Sequence, residues 1–108
     1  MTLIELINYF RTKGIQEEFF KNNSLNIESE VVEIYMQKPF NIDNELEFFE
    51  IEKTEGKIEF EFQNAKYYNF TDFYYFLDFI EDSKTKINEN LTDLKLAEIL
   101  LNYCVNDA

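Results

Sequence analysis

A chain of 108 residues has the length of one compact domain and leaves no room for two independent cores, so a single domain over residues 1–108 is expected. Hydrophobic residues make up 45% of it and aromatic residues 18%, with two Gly and one Pro, which supplies apolar surface for a core and excludes linkers, collagen-like repeats and low-complexity segments. The formal net charge of −12 disfavours contact with nucleic acid or an anionic membrane, and the lack of any His removes the usual proton-transfer group near neutral pH.

In chain order, Thr2-Leu3-Ile4-Glu5 has the spacing of a capping box, and Leu3, Ile4, Ile7 and Phe10 recur at helical intervals, so a first helix runs from Thr2 to about Lys13. No basic leader or apolar stretch of signal length opens the chain, and nowhere are 18 apolar residues continuous, so a cytoplasmic protein is expected. The single cysteine, Cys104, cannot form an internal disulfide and suits the same reducing compartment. Gly14 is placed to end the first helix, and Ile15 to Asn22 forms a shorter second one with Ile15, Phe19 and Phe20 on one side.

The period then changes to two. Val31 to Met36 alternates as a strand, and Glu45 to Lys53 and Lys57 to Gln63 read as two strands of a hairpin turning at Thr54-Glu55-Gly56. Adjacent Phe48 and Phe49 shift the phase as a β-bulge would. Helical spacing returns where Asn69 or Thr71 caps a helix containing Phe73, Phe76, Leu77 and Ile80; a polar connection through Asn88 leads to a last helix from about Thr92 to Val105. The fold class is therefore α+β: an antiparallel sheet of about three strands with N-terminal and C-terminal helices packed on one face. Phe60 and Leu101 are placed in its core.

The charge is concentrated. Residues 26–63 hold eleven acids against Lys38, Lys53 and Lys57, a net −8. A two-residue turn at Glu55-Gly56 opposes Ile51 to Phe60 and Phe49 to Phe62 on one face. On the other it opposes Glu52 to Glu59 and Glu50 to Glu61, and like charges directly opposed destabilise a sheet by roughly 0.2–1 kcal/mol per pair. An acidic face kept only for solubility would more often alternate Lys with Glu. A carboxylate layer of Glu45, Glu47, Glu50, Glu52, Glu59 and Glu61, rimmed by Tyr67 and Tyr68, instead complements a Lys/Arg-rich protein surface.

Catalysis has little to stand on. There is no Gly-rich phosphate loop, Cys104 sits on an apolar helical face with no histidine to activate it, and Asn41 to Glu45 lacks calcium-loop spacing. No enzyme activity, cofactor or metal is expected. The aromatic stretch from Asn69 to Ile80 is apolar on nearly every side of a helix, as suits a helix sandwiched between sheet and terminal helices; exposure of that helix would instead make an interface.

In size, acidity and the carboxylate-rich stretch from Glu45 to Glu61, the chain resembles the small bacterial immunity proteins that neutralise nuclease toxins. The resemblance implies a cytoplasmic protein that binds a basic nuclease domain and blocks its active site or a neighbouring surface. The same character is similar to that of the acidic nucleic-acid mimics of phages, which implies an inhibitor of a DNA- or RNA-binding protein, and a non-catalytic assembly subunit is a third reading.

Overall fold

The computed structural model describes residues 1–12, 14–85 and 90–106; Lys13 and Asn88, at the expected end of the first helix and in the expected C-terminal connection, lie outside them. Helix α1, Leu3–Thr12, opens with the capping box: Thr2 N donates to Glu5 Oε1 at 2.9 Å and Glu5 N to Thr2 Oγ1 at 3.4 Å. Gly14 N donates to the Tyr9 carbonyl at 3.0 Å with φ at +59°. A Cβ at this position would stand 2.8 Å from the Phe10 carbonyl oxygen, so only glycine fits this close reversal. Helix α2, Gln16–Asn22, follows.

Four strands form one antiparallel sheet: β1, Val32–Met36; β2, Glu47–Glu50; β3, Glu59–Phe62; and β4, Ala65–Asp72, in the order β2-β1-β4-β3. The α+β class and the helical termini agree with the sequence reading, with four strands in place of about three.

The hairpin reading is overturned. Strand β2 ends at Glu50, a single turn of helix α3, Ile51–Thr54, follows, and β2 and β3 lie at opposite edges of the sheet. Thr54, the last residue of this turn, is fully buried, its hydroxyl 3.3 Å from Glu33 Oε1, and Glu55 and Gly56 reverse the chain at φ +58° and +73°. The partner of β3 is β4. Gln63 and Asn64, at φ +51° and +67°, build a two-residue turn that sets the register Phe62↔Ala65 and Phe60↔Tyr67.

Helix α4, Phe73–Ser83, begins later than expected, because Asp72 rather than Asn69 or Thr71 is its cap: Asp72 Oδ1 accepts from Tyr75 N at 2.6 Å. The bulge expected at Phe48-Phe49 is also displaced. The β1–β2 ladder runs unbroken from Val32↔Glu50 to Tyr35↔Glu47, and the register shift falls between β1 and β4 at Ile34/Tyr35. Phe48 and Phe49 are adjacent because each side of β2 has an apolar neighbour. Helix α5, Asp93–Asn106, is capped by Thr92, whose Oγ1 accepts from Lys95 N at 3.0 Å.

Alternation along β1 assigns the two sides. Val32, Ile34 and Met36 enter the main core with Leu3, Leu6, Ile7 and Phe10 of α1, Phe19 and Phe20 of α2, Phe73, Phe76 and Ile80 of α4, and Leu96, Ala97 and Leu100 of α5. Phe73 is the hub, its ring within 5.2–6.1 Å of the rings of Phe10, Phe19, Phe20, Phe48 and Phe76. The opposite side carries a second aromatic cluster. Tyr35 is fully buried there, its hydroxyl bonded to the Lys57 carbonyl, and Phe49 is 2% exposed. Phe49 of one edge strand meets Phe60 and Phe62 of the other at 5.0 and 5.1 Å between ring centroids, so the sheet curls until its edges touch on the face away from the four longer helices. Phe60 and Leu101, expected in the core, are half-buried.

Candidate functional site

The acids expected to form one layer are divided by this topology. Glu50 and Glu52 are not cross-strand partners of Glu61 and Glu59, because the strands that would pair them are separated by β1 and β4. Several also have partners within the molecule. Glu45 pairs with the Met1 amino group, Glu50 Oε2 accepts from Asn26 N at 3.0 Å, and Glu59 pairs with Lys66 at 3.2 Å. Glu61 stands opposite Lys66 on β4 and is exposed. Opposing a lysine to Glu61 removes the like-charge conflict that the hairpin register implied.

The two tyrosines do not form one rim either, since as neighbours on β4 they point to opposite sides. Tyr67 joins the second aromatic cluster, its ring 6.3 Å from Phe49 and 6.5 Å from Phe62. Tyr68 lies on the helix side under Lys38, whose Nζ is 4.6 Å from its ring centroid.

Two features remain on the curled side. The first is an acidic edge built on α3 and the segment 26–30. Glu52 accepts from the Ser29 hydroxyl, a bond that holds its carboxyl below the usual glutamate range, and Glu50 holds the Asn26 amide. Two carboxylates thereby fix a segment that itself displays exposed Glu28 and Glu30, with Glu55 exposed at the end of α3. Composition alone counted these acids; the fixing contacts, separated by more than twenty residues in the chain, left no local signal.

The second feature is a cleft of about 220 Å³ between the end of α2 and the two edge strands, lined by Glu47, Phe49, Glu50, Lys53 and Phe62 among others. Of the six predicted acids, the structure brings Glu47 and Glu50 together here. Burial pushes the half-buried Glu47 carboxyl above the usual glutamate range; the Met1 amino group opposes this, the Glu45 carboxylate adds to it, and Lys53 opposes it least of the three. Lys53 Nζ lies 4.7 Å from the Phe62 ring centroid and 5.4 Å from that of Phe49. Sequence reasoning missed Lys53 as a site residue: Glu47, Phe49 and Glu50 lie just before it in the chain, but Phe62, which completes the cleft, comes from the opposite edge of the sheet.

No family model, characterised protein or solved structure matches this chain. The functional reading therefore rests on its own residues. Cys104 of α5 is half-buried beside Thr71, and burial pushes its thiol up to about 11, the opposite of an activated nucleophile. Among the described residues no group of His, Cys, Asp and Glu is arranged to hold a metal ion, and no helix is long and apolar enough to cross a membrane.

Proposed function

We propose that this chain is a non-catalytic, cytoplasmic acidic binding protein for a basic protein partner, and that the partner is a nuclease-type toxin which the chain neutralises as an immunity protein. The observation that carries this reading is the acidic edge: Glu50 accepts from the Asn26 amide and Glu52 from the Ser29 hydroxyl, which fixes segment 26–30 and keeps Glu28 and Glu30 displayed on the surface. Fixed surface carboxylates of one sign raise the encounter rate with a cationic partner and repel polyanions, so they select a basic protein over nucleic acid. The exposed Glu55 at the end of α3 extends the same field, and the exposed Glu61, on the other side of β3, adds to the net negative charge of the molecule. Site residues for the partner are accordingly Glu28, Glu30 and Glu55 beside the Glu47 and Glu50 cleft, with Glu59 and Tyr68 serving intramolecular contacts.

Affinity capture from lysate of the source cells tests it, with the native chain and a Glu28/Glu30/Glu55/Glu61→Gln variant as paired baits. Recovery by the native bait of a basic nuclease, depleted on the variant and inhibited when the chain is added back, is the expected result. Recovery of only neutral or acidic proteins, equally by both baits, contradicts the reading.

A further inference from the structure

Lys53 is a cation on a strongly acidic molecule, yet among the described residues it makes no ion pair; its ammonium rests on two phenyl rings while two carboxylates line the same cleft. Phenyl faces carry the negative part of the ring quadrupole and attract ammonium or guanidinium groups, and Arg, planar and more weakly hydrated, seats on them better than Lys. The box is preformed. Phe49 is held by the Tyr35 and Phe60 rings at 5.3 and 5.0 Å, and Phe62 comes to it from the opposite edge of the sheet.

The placement of the cation, by contrast, is not enforced. Lys53 is exposed, sits on the single turn α3, and is joined by a flexible four-carbon stem that can swing its ammonium into water. Glu47, desolvated at the wall of the cleft, gains from any cation brought closer than Lys53 stands. An anion gains the Lys53 ammonium here but meets two carboxylates and two ring faces, and an apolar group adds to the desolvation of Glu47 without bringing it a cation, so the chemistry of the cleft favours a positive side chain.

We propose that the Phe49–Phe62 ring pair with Glu47 and Glu50 is a receptor for one arginine side chain of the basic partner, and that Lys53 is the chain's own placeholder, displaced when that arginine enters. The inference rests on the basic-partner reading and sharpens it to one anchor. A cleft of about 220 Å³ accommodates a side chain and not an element of secondary structure, so the rest of the partner lies over the acidic edge outside.

The probe is a blocked hexa-arginine peptide, titrated at physiological ionic strength into chain carrying ¹³C-labelled phenylalanine, with the aromatic resonances observed by NMR. Four proteins are compared: native, Lys53→Ala, Lys57→Ala and Phe62→Leu. Lys57→Ala makes the same change in net charge at an exposed position outside the cleft lining. Peptide should shift the Phe49 and Phe62 signals, and Lys53→Ala should bind it roughly two- to fivefold more tightly, the size of one surface cation–π contact, with Lys57→Ala gaining less. Phe62→Leu, which keeps an apolar side chain at a half-buried position, should lose the Phe49 shift while its remaining spectrum stays native. The receptor is overturned if the two rings do not respond, or if Lys53→Ala binds no more tightly than Lys57→Ala. Peptide that binds with shifts confined to residues outside the cleft removes this anchor and leaves the acidic binding reading standing; absence of binding to all four proteins removes both.

Discussion

Glu52 ties the charge of the acidic edge to its structure. Its carboxyl is fully exposed, yet the Ser29 hydroxyl and the Glu30 amide favour its ionised form and hold its pKa below the usual glutamate value. A carboxyl whose folded pKa is depressed contributes stability that is fully present above the unfolded glutamate value and is lost as pH falls through the lower folded value. Glu52→Gln should therefore reduce Tm relative to the native chain at pH 7, and the gap should narrow as the melts are repeated down to about pH 3, through the ordinary carboxylate range. A gap independent of pH would mean that the Glu52 charge does not fix segment 26–30. Glu47 works in the other direction: burial raises its pKa, so the folded form favours the neutral acid and that residue's contribution weakens as pH rises through the raised value.

The elements show which parts of the fold are locally encoded. Phe73 of α4, fully buried among five rings, should cost about 3–5 kcal/mol when changed to Ala, and Phe60 of β3, half-buried at a sheet edge, clearly less, as urea unfolding of both variants will show. Equal losses would contradict the division into a main core and a secondary aromatic cluster. The helices α1 and α5 were legible because capping residues and apolar spacing lie within each segment, as with Thr2, Glu5 and Thr92, and α2, which has no side-chain cap at Ile15, was legible from Gly14 and the spacing of its phenylalanines.

Strand β4 was not legible, for a physical reason: Asn69, Thr71 and Asp72 are all cap-type residues, and which of them starts the helix depends on pairing with β1 and β3 on either side. Phe49 and Phe62 were expected to meet as hairpin partners. They do meet, at 5.1 Å, but across the curl of the sheet from strands at opposite edges. Alternation reports which side of a strand is apolar and is silent on which strand it faces. For the site, composition revealed the excess of acid, while the hydrogen bonds that display it and the cleft that collects Glu47, Glu50 and Lys53 exist only in the folded chain.

At the scale of the whole molecule, a net charge of −12 with most of the excess in residues 26–63 makes a negative field that, under the proposed function, acts on a basic partner before any contact does. Steering of that kind acts on the association rate and is screened beyond a Debye length of about 8 Å at physiological salt. The internal ion pairs, such as Arg11–Asp93 at 2.8 Å between α1 and the start of α5, hold the helical side and subtract little from the acidic edge. The most direct measurement is the association rate constant of the chain with its captured partner, followed by stopped flow across a series of salt concentrations for the native protein and the Glu28/Glu30/Glu55/Glu61→Gln variant. A native rate that falls steeply with salt, and a variant whose rate is lower and whose salt dependence is flatter, is the predicted result; equal rates with the same shallow slope would contradict a binding function carried by the acidic edge.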